Sequence, residues 1–161
     1  MAITYQDFLE TVAQEDKEFV NTLDTIFKKN SCKTEIKEAK NGYVVTYFYM
    51  KNKKKISLMN FVFRKDGMRT RIYARHAAYF QSILDTLPEE MKKDIVKSGI
   101  CKKISGISEC SPTCTGGYEF AMDGEIHKKC KNMAFFWRVC AENNSYIEQF
   151  VENELKYINV V

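Results

Sequence analysis

Cys101, Cys110, Cys114 and Cys130 follow one another as C-x8-C-x3-C-x15-C, with His127 three residues before the last of them. Zinc takes four sulfur or nitrogen ligands in a tetrahedron, usually delivered by two tight turns. "CSPTC" supplies one turn around Pro112, and the second pair is either His127 with Cys130 or Cys101 with Cys130. A structural zinc site through Cys110, Cys114, Cys130 and either Cys101 or His127 is therefore expected. Two features weigh against it. The usual first pair is separated by two residues and not three, and in a strand His127 and Cys130 would point to opposite faces. The same thiols have other uses. Cys110 and Cys114 are a candidate redox pair, although wider than the C-x-x-C spacing that lowers a thiol pKa. A nucleophilic cysteine would need His76 or His127 as its base, and His76, opening a helix after a basic strand, reads better as a capping or packing residue. As buried small hydrophobes the cysteines would need no chemistry at all, and Cys32 and Cys140 are read that way.

A second constellation is basic. In "MRTRIYAR", Arg69, Arg71 and Arg75 are candidates for anion binding, with Lys51, Lys53, Lys54 and Lys55 at a nearby turn. Guanidinium forks match phosphate oxygens, and Tyr47, Tyr49 or Tyr73 offer stacking surfaces. No nucleic-acid-binding motif accompanies them, so nucleic acid is the weaker alternative. A solvated strand guarding a sheet edge is the plainer use. A third set, Tyr47, Met59, Phe135 and Trp137, is a candidate wall for an apolar small-molecule pocket, and equally a core. "TGG" at 115–117 lacks the lysine and the strand-to-helix setting of a phosphate loop. Glu89 and Glu90 complement a helix dipole. No enzyme signature is present.

The elements that must position these residues are punctuated clearly. Phe8, Val12, Phe19, Leu23 and Ile26 put one apolar stripe on a helix over 4–29, opened by a capping box of Thr4 and Asp7. Asn41-Gly42, the "MKNKKK" turn and Asp66-Gly67 divide 33–75 into four antiparallel strands, near 33–39, 43–50, 55–64 and 68–75. In the last strand Met68, Thr70, Ile72 and Ala74 alternate with Arg69, Arg71, Tyr73 and Arg75, one apolar face against one basic face. Two short helices follow, the second opened by Pro88 and closed by Gly99. "GYEFAM" and "EIHKKC" make a hairpin about Asp123-Gly124, "MAFFWRV" a third buried strand beside it, and a last helix starts at Ser145 with a capping box to Glu148. Runs of strands and helices kept apart give an α+β domain, an antiparallel meander covered by the N- and C-terminal helices.

A chain of 161 residues fits one domain, 1–161, with helix, meander and two short helices over 1–100 and the cysteine hairpin and final helix over 101–161. Residues 33–103 hold 17 Lys or Arg against 7 Asp or Glu, while both flanks are mildly acidic, so an anionic partner would meet the middle of the chain. With no signal-peptide pattern and no membrane-length apolar run, a cytoplasmic protein with reduced thiols is expected, and no membrane partner. Edge strands of a curled sheet leave a homodimer open. The layout resembles that of small uncharacterised bacterial proteins with a Cys-containing C-terminal hairpin, a resemblance that implies no activity and no functional residue. The function expected is that of a module binding a small molecule or a protein partner, with a thiol-dependent redox protein or enzyme as the alternative.

Overall fold

Thr4 opens the first helix as the sequence requires. Its hydroxyl accepts the Asp7 N–H at 3.2 Å, and the Asp7 carboxylate accepts the Thr4 N–H at 2.8 Å. The computed structural model describes residues 2–107, 110–112 and 114–160. The helix expected over 4–29 is two helices, α1 (Tyr5–Thr11) and α2 (Lys17–Lys29), joined by a 3-10 turn at Gln14–Asp16. Val12 and Ala13 leave helical conformation, with ψ of 137° and 142°. The periodicity hides this break because Phe8 and Val12 stay in phase with Phe19 and Leu23 across it. Tertiary contact decides it: the bend seats Phe8 on Phe61 and Phe63, with ring centroids 5.8 and 6.0 Å apart, while Phe27 stacks on Tyr47 at 4.4 Å.

The meander forms as β1 (Lys33–Ala39), β2 (Gly42–Lys51), β3 (Lys54–Arg64) and β4 (Gly67–Ile72). Gly42 takes φ +100°, and Asn52 and Lys53 both take positive φ, which a two-residue turn of the right hand for twisted strands demands. β4 ends three residues before the alternation does. The Tyr73 N–H still reaches Leu58 O, but the Arg75 N–H folds back on Tyr73 O, and a 3-10 turn at Ala77–Tyr79 follows. The helices α3 (Gln81–Thr86) and α4 (Glu89–Lys97) lead into the ribbon of β5 (Tyr118–Met122) and β6 (Glu125–Lys129).

The buried strand of "MAFFWRV" is not part of that ribbon. It is β7 (Phe136–Arg138), and it pairs with β4 through Arg69↔Arg138, Thr70↔Trp137 and Arg71↔Phe136. The main sheet is therefore five-stranded and antiparallel, in the order β1-β2-β3-β4-β7. The final helix α5 (Ala141–Val160) starts four residues before Ser145. The Asn144 side chain accepts the Cys140 N–H at 3.1 Å, and Asn143 donates to Arg138 O at 3.0 Å. The two asparagines tie the helix back to the residues just before it, and Ser145 lies within the helix. The fold is α+β. Among the described residues no helix is long and apolar enough to cross a membrane.

The core lies on the inner face of the sheet, beneath α2 and α5. Its polar groups are paired: the Tyr47 hydroxyl donates to Asp24 at 2.8 Å, and Trp137 Nε1–H donates to Met91 O at 3.1 Å. The other face carries Val44, Thr46, Asn60, Val62, Arg69, Arg71 and Phe136, which alternate with core residues through the register. A seven-residue helix is not stable alone, and Phe8 is the one fully buried side chain of α1. Phe8→Ala should therefore cost about 3–5 kcal/mol in denaturant unfolding, with the amides of α1 losing hydrogen-exchange protection first.

Candidate functional site

Arg69 and Arg71, two residues apart in β4, project to one side of the sheet, and Phe136 of β7 stands directly opposite Arg71. Arg64, at the end of β3, completes a ring of three guanidinium groups about the Phe136 side chain. Their central carbons lie 5.3 Å (Arg64), 5.4 Å (Arg69) and 4.9 Å (Arg71) from its centroid. Each gains from the negative face of the ring. Two are also fixed by the backbone, Arg71 donating to Asn132 O at 2.8 Å and Arg69 to Phe136 O at 3.4 Å. Arg69 pairs with Asp66 at 3.0 Å, but Arg64 and Arg71 make no ion pair among the described residues. These residues line an open groove of about 260 Å³ together with Lys97, Asn132, Met133 and Asp94. Asp94 is the one carboxylate lining it; burial raises its pKa and the nearby Arg69 acts against that. The groove is thus preformed, positive and partly apolar.

Arg75 does not join this cluster. Its guanidinium turns back to Ser57 O at 2.6 Å and lies over Tyr73, 5.9 Å from the ring centroid. The early end of β4 takes it out of the alternation that holds Arg69 and Arg71. Tyr47, Met59, Phe135 and Trp137 are all at most 1% exposed and pack as core. They line none of the grooves described here, and Tyr47 and Trp137 have spent their polar groups on Asp24 and Met91.

The cysteines gather at the ribbon's open end. Cys101 N–H donates to Lys128 O, and Cys130 N–H to Gly99 O, so the two cysteines flank the Ile100↔Lys129 bridge on one side. Gly117, opposite Cys130 in the continuation of the β5–β6 register, donates its N–H to Cys101 Sγ at 3.2 Å. Gly116 donates to Cys114 Sγ at 3.5 Å. The turn expected at "CSPTC" closes through Cys114 N–H to Ser111 O, while Thr113 lies outside the described residues. Lys103 Nζ ties the two loops by donating to Cys114 O at 2.6 Å. Burial pushes the Cys101 thiol up, yet the N–H groups of Ile104, Gly117 and Lys103, with the Lys103 charge, outweigh it and hold its pKa below the ordinary thiol value. Cys110 is exposed. His127 stacks on Phe120 at 5.7 Å. The cysteine side chains do not converge: among the described residues no three His, Cys, Asp or Glu form a group able to hold a metal ion. Cys32 and Cys140 are half-buried, with thiols raised by burial, Cys32 to about 11.

The sequence signal for Phe136 and Arg64 as partners of Arg69 and Arg71 was absent, because only the β4–β7 pairing joins them. His76 precedes the 3-10 turn without a side-chain cap and takes the packing role: its ring stacks on Tyr157 and meets Glu154, 78 residues away. No protein-family model, curated protein or solved structure matches the chain, so its chemistry is read from this geometry alone.

Gly117 holds the corner together because nothing larger fits. A Cβ there would lie 2.0 Å from Lys129 O and 2.9 Å from Cys101 Cβ. Gly117→Ala should lower stability by about 1–3 kcal/mol or more. The same change should raise the reactivity of Cys101 toward a thiol reagent, measured by mass spectrometry of the labelled peptides.

Proposed function

We propose that this chain is a binding module whose open sheet face recognises an oxyanion-bearing partner, through Arg64, Arg69 and Arg71. One observation carries the reading: three guanidinium groups share a single aromatic ring while, among the described residues, only one of them has a carboxylate partner. Like charges brought this close repel one another, and an incoming phosphate or carboxylate relieves that repulsion while accepting paired N–H bonds. Because the ring and the backbone carbonyls already fix the guanidinium planes, little side-chain order remains to be lost on binding. The Phe136 ring already serves the three arginines, which makes the oxyanion the group this face recognises.

The test compares three probes of equal length: a phosphoserine peptide, an Asp/Glu peptide and a single-stranded oligonucleotide. Affinity for the peptides should fall as salt screens the guanidinium charges. Changing Arg69 and Arg71 together to Ala should weaken it by about 10- to 100-fold, the usual range for charge-assisted hydrogen bonds. Salt-independent binding, or a double variant that binds as well as the parent, contradicts the reading. Preference for the oligonucleotide would instead favour nucleic acid as the partner.

A second reading concerns the cysteine corner. Backbone N–H groups aimed at Cys101 and Cys114 sulfurs are what thiolates need when they ligate a metal. Cys101, Cys114 and Cys130, with Cys110 four residues from Cys114, are the thiols that a soft cation such as zinc would have to draw together. Protein produced with zinc should then contain about one ion per chain, with four thiols silent to a thiol reagent until a chelator is added. Metal-free protein whose Cys110 and Cys114 react fast would place those two in a redox or nucleophilic role.

A further inference from the structure

A different part of the fold holds a polar pair that neither the arginine face nor the cysteine corner uses. Glu154 of α5 is 2% exposed, and both its oxygens point at one residue. Oε1 accepts the His76 backbone N–H at 3.1 Å, and Oε2 lies 2.7 Å from His76 Nδ1. An ionised carboxylate can only accept, so Nδ1 carries a proton, and in the neutral ring Nε2 is then left with a bare lone pair. The ring is held flat as well. It stacks on Tyr157 at 5.2 Å and 11°, and Tyr157 stacks in turn on Tyr79 at 5.3 Å.

A histidine locked by a buried carboxylate, with its far nitrogen free, is the arrangement that makes an effective proton acceptor. A mere pin between α5 and the β4 exit would not need an accessible outer edge, yet the His76 side chain is 29% exposed. That edge belongs to a groove of about 320 Å³ lined by Tyr49, Met50, Lys51, His76, Tyr157 and Ile158. The lining is aromatic and aliphatic, with one exposed ammonium at Lys51. Arg75, the other cation near Glu154, is turned away onto Ser57 O.

The geometry points to a second binding site here, for a small planar molecule that donates a hydroxyl to His76 Nε2 and carries an anionic end toward Lys51. The aromatic body of such a ligand packs on Tyr157 and Met50, and the buried Glu154 offsets the positive charge that His76 gathers as it accepts the hydrogen bond. This site is independent of the arginine groove.

The experiment is nitrogen-15 spectroscopy of the two histidines in the full chain, followed by titration with 4-hydroxybenzoate and with benzoate. At a pH where the ring is neutral, the free protein should show His76 protonated at Nδ1 and bare at Nε2. 4-Hydroxybenzoate should move the His76 Nε2 resonance and leave His127 unmoved, and benzoate, lacking the hydroxyl, should bind at least about tenfold more weakly. Lys51→Ala, a change at an exposed position that leaves the fold intact, should weaken both ligands by a similar factor. Glu154→Gln should abolish the tautomer preference. A proton on Nε2 in the free protein at that pH overturns the proposal. So do equal affinities for the two ligands, or a His76 resonance that neither ligand moves.

Discussion

The alternation of β4 is the constraint on which the rest depends. Met68, Thr70 and Ile72 must enter the core, so Arg69 and Arg71 must leave it on the opposite side, because a strand offers no third direction. A one-residue slip of register would bury two guanidinium groups and expose three core residues, which fixes β4 between β3 and β7. β7 is only three residues long, yet it supplies Trp137 to the core and Phe136 to the arginines. One short strand thus ties the stability of the inner face to the geometry of the outer one. The same rule places Asn60 outward, where its side chain donates to Thr46 and accepts from the Tyr73 hydroxyl.

The small ribbon follows a different logic. It has too little apolar area to stand alone, and close backbone contact compensates. Gly117 fits between Lys129 O and Cys101 because it lacks a side chain, and the N–H groups this frees are directed at sulfur and not at oxygen. Lys129 is drawn beneath α4, its ammonium donating to Val96 O and Ser98 O at the helix's carbonyl end. This is a favourable place for a cation, because the helix dipole is negative there. The corner's cysteines are therefore positioned by backbone, and their chemistry is set by how many N–H groups each sulfur receives.

Local chemistry was legible in the sequence where it is written in short range. The Thr4–Asp7 box, the Asn41-Gly42 and Asp66-Gly67 turns and the β4 alternation all rest on neighbours within a few residues, and all are present. What depends on distant partners was not legible. The bend after Thr11 is invisible because the stripe stays in phase across it, and "MAFFWRV" reads as a ribbon strand until its β4 partner is known. The α5 start was misplaced because the Asn143 and Asn144 side chains tie the helix to Arg138 and Cys140, and it begins four residues before the expected Ser145. His76 reads as a capping or packing residue whose partner stays unnamed, because Glu154 lies 78 positions away. Arg75, one alternation past Tyr73, was included with Arg69 and Arg71 because nothing local marks the end of the strand.

The claim that joins these features is that the outer sheet face, and not the core aromatics, meets the partner. Backbone amide chemical-shift mapping during a titration with tripolyphosphate tests it directly. The account predicts that the amides shifting at the lowest concentrations belong to β3, β4 and β7 around Arg64, Arg69, Arg71 and Phe136, together with Lys97. Shifts confined to the ribbon loops, or spread evenly over every exposed lysine, would contradict it.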